Sequence, residues 1–490
     1  MHSTFFGLEL ARRALESQQY ALDVTGHNIA NANTQGYTRQ VANLKSTTPD
    51  TINSLGHSLS IGTGVTLENI TRARDAFVDR QFRWETSKQE YWGGRQDALQ
   101  KVEGMFNEPS ENSLHDDMNK FWTAWSDLSK NPENMGARSV VHERALTLVD
   151  SFHHLAQQIT DMRNNMDANV RVQIHQINSY SEQIAGLNEQ IKRAEVAGDN
   201  PNDLRDKRDA LVDELSKIVS VRVVETIDPS FTDREVHNYQ VNIGAETTPP
   251  QILVSNTTAY KLSETAVDAN GFALVQWDAS APNPGAALDM GDRLGSLQAN
   301  MEIRDDYLPN FLQKFLDDLA AGIVQAVNTL HTSGEGLTAG VTGNFFDPAS
   351  TTAATIALDP YVDDLSHIAT RPSGAEIGDG SVAQQISSLA NGWTAVASPL
   401  PNAATSFGDF YGANIAQLGI DVQQADRMKA GEDVLVTHLS NQRESLSGVS
   451  LDEEMTNLVR FQKSYSAAAR VVTMMDDMLD TIVNRMGVTR

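Results

Sequence analysis

Thr25-Gly26-His27-Asn28-Ile29-Ala30-Asn31-Ala32-Asn33-Thr34-Gln35-Gly36-Tyr37-Thr38-Arg39-Gln40 is the segment from which the organisation of this chain unfolds. Asn28 and Asn31 stand three apart, on one face of a helix, and Asn33 and Gly36 then supply residues that tolerate positive φ. The spacing predicts a helix, a tight turn, and an extended segment beginning at Tyr37. An Asn-rich helix C-cap accounts for the turn. It does not account for amides on the helix itself, because asparagine is a weak helix former and is buried only when its amide is hydrogen-bonded. Several together point to an interface with partner amides or backbone.

Working back toward the N-terminus, Leu8, Ala11, Leu15, Leu22 and Ile29 recur at helical spacing, with Gln18 and Thr25 as polar interruptions. The far end carries a cleaner heptad. One set is Leu451, Leu458, Tyr465, Val472, Leu479 and Met486; the other is Glu454, Phe461, Ala468, Met475 and Ile482, broken only by Glu454. This is a coiled-coil period sustained over about five heptads. Neither Gly nor Pro intervenes between Gly448 and Gly487, and Ser450 with Glu453 forms a capping box. None of the 15 prolines falls in residues 1–48 or 402–490. The ends are also nearly neutral: residues 1–45 carry four basic and three acidic groups, residues 450–490 five and six, so the net charge of −26 lies between them. Two proline-free, charge-balanced amphipathic ends predict a discontinuous, coiled-coil-like terminal domain made of residues 1–55 with 447–490.

Between the ends, Val170, Ile174, Ile177, Ile184, Leu187, Ile191 and Ala194 form another seam, broken at Gly198–Asp203 and resumed from Leu204 to Ile218 as a helical hairpin. From Val219 the period becomes two, and the runs 239–243, 252–254 and 272–277 are separated by Pro/Asn/Gly turns. Helix returns over 295–330, interrupted near Pro309, and again from about Asp409 to Leu446. The expected fold is mainly α with a β insertion, nested. Residues 56–218, 290–332 and 403–446 make a helical middle domain and 219–289 an outer β domain. Residues 333–402, rich in Gly, Ala, Thr and Pro, read as a loop-rich lobe or a second β insertion.

Composition excludes several chemistries. The chain has no cysteine, which removes disulfides, thiolate nucleophiles and Cys-type metal sites. Its acidic surplus repels phosphate backbones and anionic lipid, so neither nucleic acid nor membrane is an expected partner. The N-terminus lacks a basic region followed by an apolar block, so no cleaved secretory signal is expected. There is no phosphate-loop, zinc-protease, nucleophile-elbow or calcium-loop motif. His153 and His154 are adjacent and point about 100° apart on a helix. Asp305-Asp306, Asp363-Asp364 and Asp476-Asp477 read as solvated acidic faces, and Trp84, Trp92, Trp122 and Trp125 as core anchors. No catalytic residue, cofactor or metal is expected.

The opening segment resembles the N-terminal signature of flagellar rod, hook and hook-associated axial proteins, Asn-x-x-Asn-x-Asn-Thr-x-Gly-Tyr/Phe, through Asn28, Asn31, Asn33, Thr34, Gly36 and Tyr37. The stretch from Ser447 to Val472 is similar to that family's C-terminal helix. Asn202-Asp-Leu-Arg-Asp-Lys-Arg-Asp209 with Glu214-Leu-Ser216, and Val327–His331 with Gly343–Phe346, are similar to its hook-associated, junction-forming members. The resemblance implies a structural subunit, not an enzyme. Hook protein and flagellin are rivals within the same class. A cell-wall hydrolase would need a convergent carboxylate or metal cleft, and an adhesin would bind through the β domain. It implies export through the flagellar type III channel without a cleaved signal, and a location outside the cell on the flagellum. The implied partners are copies of itself in a ring, hook protein below, a second junction protein above, and a dedicated export chaperone on the C-terminal helix. Subunit packing is assigned to Leu8, Leu15, Leu22, Asn28, Ile29, Asn31, Asn33, Thr34, Gly36 and Tyr37. Packing or chaperone binding falls to Leu451, Leu458, Phe461, Tyr465, Val472, Met475, Leu479 and Ile482.

Overall fold

The computed structural model describes residues 5–481 except 55–56, 109, 111–112, 293, 394–395 and 402–403. Helix α1 (Phe6–Ala30) leads through the Asn-rich turn into strands β1 (Gln40–Ser46), β2 (Asp50–Ser54), β3 (His57–Ile61) and β4 (Val65–Arg72). These pair as two antiparallel ribbons, β1 with β4 and β2 with β3. Helices α2 (Ala76–Phe106), α3 (Leu114–Lys130), α4 (Met135–Val196) and α5 (Asn202–Ile218) follow. Strands β5 (Val221–Ile227), β6 (His237–Ile243), β7 (Ile252–Ser255) and β8 (Thr258–Ala259) form one antiparallel sheet in sequence order. Then come α6 (Ser296–Glu302), a π-helical stretch (Ile303–Gln313) and α7 (Lys314–His331). The short pair β9 (Gly334–Glu335) and β10 (Arg371–Pro372), α8 (Ser381–Ser388), α9 (Phe407–Ser447) and α10 (Leu451–Asp480) complete the chain.

The helix ends follow from their caps. Asp75, Ser113, Asn134, Ser406 and Ser450 each accept a backbone N–H of the first turn of α2, α3, α4, α9 and α10, satisfying donors that the helix cannot pair internally. The interruption expected near Pro309 is present as the π-helical stretch, whose wider turn accommodates a residue with no N–H to donate.

Two cores are built. The larger one gathers α2, α3, the first half of α4, α7 and α9 around Phe121, Trp125 and Phe152. The smaller one closes the second half of α4 and α5 against the β5–β8 sheet, through Val170, Ile174, Ile177, Val212, Val241 and Leu253. Helix α4, 62 residues long, runs from one core into the other.

Several expectations change. Residues 57–72, placed at the start of the helical middle domain, are extended and pair as ribbons. Trp84 is exposed on α2, whereas Trp92, Trp122 and Trp125 are buried anchors. The 272–277 run joins its neighbours only through isolated antiparallel bridges such as Leu262 with Trp277. Residues 333–402 are loop-rich, with the short β9–β10 pair and α8 as their regular elements among the described residues. Their Phe345, Phe346, Ile356, Val362 and Ile386 fill the larger core.

Candidate functional site

Helices α1 and α10 lie against each other in antiparallel register. Near one end, Asn28 Nδ2 donates to Glu454 Oε2 at 3.2 Å. Near the other, the Met475 methyl occupies the space where a side chain on Gly7 would begin. The two contacts lie 21 residues apart on each helix, three heptads, so one seam holds the pair together. On α10 the seam residues Leu458, Phe461, Val472, Met475 and Leu479 are half-buried, as are Leu8, Leu15, Leu22 and Ile29 on α1. Leu451 and Tyr465, read as seam residues, are exposed. Ile482 lies outside the described residues.

The buried residues of α1 are Ala11, from the Leu8–Ile29 ladder, and a second stripe, Ser17, Ala21, Val24, Thr25 and Asn28. It faces the β1–β4 ribbon, where Ser17 Oγ donates to the carbonyl of Val65. Period-seven reading missed it because two of its members are hydroxyl residues.

Asn28, 1% exposed, is the centre of the site. Its Nδ2 donates to the Gln40 carbonyl at 2.8 Å as well as to Glu454. Its Oδ1 accepts from the Tyr37 hydroxyl at 2.7 Å and the Gln40 N–H at 3.0 Å. All four bonds available to a side-chain amide are made. Glu454, which looked like a break in the heptad, is 3% exposed and is the part of α10 that this amide grips. Burial, followed by the carboxylates of Asp203, Asp206 and Glu454, pushes the Tyr37 phenol up, so it stays a donor. Asn31 closes the turn locally, donating to the His27 carbonyl and accepting from Thr34. Gly36 turns at φ +79° against Ala210 of α5, a conformation glycine takes without strain. Asn33, Thr34 and Gly36 are exposed; Thr34 is still tied into the turn through Asn31 and Tyr37, so the structure brings together Asn28, Asn31, Thr34, Gly36 and Tyr37.

From this amide the contacts spread into the middle of the chain. Thr38 N–H donates to Asp206 and Gln40 Nε2 to Asp203, both on α5. Arg39 N–H donates to the Ser447 carbonyl at the end of α9, and its guanidinium meets Glu453 at 2.8 Å. Arg72 bridges Asp206 and Asp209 at 2.9 and 2.7 Å, Arg74 bridges Asp79 and Asp209, and Arg83 reaches Asp213 at 2.6 Å. Arg443 of α9 closes the network on Asp79 and Asp213. Burial alone would raise Asp209, but Arg74, Arg72 and Arg83 overcome it and hold its carboxyl well below the usual range. Sequence reading did not assign this ionic network. Its signal was the dense alternation of charge in Asn202–Asp209, quoted above only as a resemblance.

Chemically the site binds its own chain: five guanidiniums, seven carboxylates and the amides of Asn28 and Gln40 tie both ends to α2, α5 and α9. Among the described residues, no group of three or more histidines and carboxylates could hold a metal ion, and no helix is long and apolar enough to cross a membrane.

Comparison with known proteins fits this arrangement. Family models described as "Flagella basal body rod protein" and "Flagellar basal body rod FlgEFG protein C-terminal" match residues 8–38 and 441–486, the two ends that pair. By its ends, then, the chain is of the flagellar axial class. The model described as "Flagellar hook-associated protein FlgK helical domain" matches residues 99–346, about half of the chain. Flagellar hook-associated protein 1 of Bacillus subtilis (strain 168) is 32% identical over 523 residues, covering 100% of this chain and 99% of its own. That of Escherichia coli (strain K12) is 26% identical, covering 97% and 98%. The flagellar hook junction protein FlgK from Burkholderia pseudomallei shares the fold at a TM-score of 0.62 and 15% identity, over 76% of this chain and 100% of that one. The chain belongs to the flagellar hook-associated protein 1 (FlgK) family and is a structural component of the flagellum.

Proposed function

We propose that copies of this chain pack side by side as a ring at the junction between hook and filament. Hook protein lies below the ring and a second junction protein above it. The α1–α10 pair is the packing element, and the chain acts by assembly, not by catalysis. The observation that carries this reading is the set of large apolar side chains that α10 leaves exposed on either side of its seam. Outside the seam turned toward α1, Met455 and Val459 on one side of it and Val471, Met474 and Met478 on the other are exposed. A helix that shows large apolar side chains on both flanks of its seam has left part of its apolar surface uncovered. The methionines suit a surface that must fit successive partners, because their unbranched side chains repack easily. Before export the same side chains serve a dedicated chaperone, and export proceeds through the flagellar type III channel. Cells lacking the chain should build hooks without filaments and release flagellin into the medium. Normal filaments on the deletion strain, seen by electron microscopy, would end this reading.

A further inference from the structure

Beside the joint lies a cleft of about 600 Å³, with β4 and the start of α2 on one side and β5 and β6 on the other. Three features distinguish it from a mere packing gap. First, hydrogen-bonding capacity is left over in its walls. Arg74 gives its Nε to Asp79 and one Nη to Asp209, while its buried Nη2 has no acceptor, and neither has the buried Tyr239 hydroxyl. Buried donors without acceptors are costly. Second, the charge left over is positive. Asp79 and Asp209 are paired with the arginines of the joint and Glu225 with Arg208 at 3.2 Å, whereas Arg80 forms no ion pair among the described residues. Third, exposed apolar side chains stand beside it. Phe77 and Trp84 share the Arg80 face of α2, three and four residues away, and are 61% and 47% exposed; Ile227, on β5, lines the cleft and is 56% exposed. Exposed aromatics around an arginine have the composition that dominates interface energetics.

We infer that this cleft and the aromatic side chains beside it receive a carboxylate-bearing element of a second copy of this chain. The occupant follows from charge: with 64 acidic against 38 basic residues, a neighbouring copy presents mainly carboxylates, and the cleft supplies the cation and the unused donors. The inference rests on the ring proposed above and adds to it a contact outside the α1–α10 pair.

The chain has no cysteine, so a single introduced thiol is a clean reporter. Arg80→Cys and Trp84→Cys would be supplied separately to the deletion strain and treated with a maleimide, as secreted monomer and in isolated flagella. Both thiols should label quickly in the monomer and about tenfold more slowly once assembled. A benzophenone maleimide on the thiol of the Trp84→Cys variant, in assembled flagella, should give an adduct of two copies. Arg80→Glu should fold as judged by circular dichroism yet lose filaments, and Arg80→Lys should restore them. Flagella that form while both thiols label as in the monomer would overturn the inference and leave the ring standing. An adduct solely with a different flagellar protein would overturn the choice of occupant. Absence of any phenotype in the deletion strain would instead strike the ring itself.

Discussion

Asn28 shows how one side chain can decide whether two chain ends meet. Replacing it with alanine removes four hydrogen bonds and strands the Gln40 N–H and the buried Glu454 carboxylate. Leaving such groups unsatisfied should lower stability by roughly 2–4 kcal/mol, measurable as a shift in urea midpoint at constant slope. Asn28→Asp should do no better, since it loses both donors and faces Glu454 with like charge. A loss under about 0.5 kcal/mol would show that the amide is not central. The role of Asn28 was partly legible, because an amide on a helix face demands partners. That of Glu454 was not: a heptad template scores it as a defect, and its partner is 426 residues away. His331 offers a separate test of burial. Desolvation lowers its pKa from 6.5 to about 4, and as a neutral ring it donates Nδ1–H to the Gly343 carbonyl and accepts the Ala369 N–H at Nε2. The unfolded chain therefore binds a proton at higher pH than the folded one. The stability due to this group is complete above about pH 6.5 and declines as pH falls toward 4, by about 3 kcal/mol in all. Chemical denaturation between pH 7 and 4 should show that slope, and His331→Gln should flatten it.

At the scale of elements, what could be read was what repeats. The second half of α4, over Val170–Ala194, and α10 carry a period of about 3.5 to 3.6, and those stretches follow from it, whereas the first half of α4 was not read that way. Of the β1–β4 ribbon only the extended entry at Tyr37 was legible; the pairing with β4 did not show itself, because the strands are half polar and no apolar alternation marks them. Residues 333–402 were equally opaque: they are fixed by scattered side chains sinking into a core made elsewhere, and such burial has no period. The seam of α10 yields the prediction proper to this scale. Val472 is half-buried in the middle of it, and glutamate there would place an unpaired charge between helices. Val472→Glu should abolish assembly while the two cores keep their cooperative thermal transition, followed by circular dichroism. Wild-type motility from this variant would show that the seam is no interface.

For the whole molecule the structure implies an uneven distribution of stability. The cores of α2–α9 and of the sheet hold fully buried Trp125, Phe152 and Val241, each worth about 1.5–3 kcal/mol of burial. Beyond the joint α10 has only half-buried and exposed faces, while α1 keeps a buried stripe on the β1–β4 ribbon as far as Ala11, and a two-helix pair gains little from propensity alone. It is secured at one end, where Asn28, Glu454, Arg39 and Glu453 meet the ionic network, and at the other only by contacts such as Gly7 with Met475. In a dilute monomer the pair should therefore open from its free end toward the joint, as a unit of lower stability than the cores. Amide exchange should be fast near Phe6–Leu10 and Met474–Asp480, slower toward Asn28 and Glu454, and slowest in the cores. Limited proteolysis should trim both ends and stall near the joint, sparing α2–α9. If neighbouring copies cover the exposed apolar side chains of α10 as proposed, the same amides should become protected in the assembled flagellum. Uniformly slow exchange along α1 and α10 in a verified monomer would mean that the pair is complete without neighbours, and that assembly adds nothing to its folding.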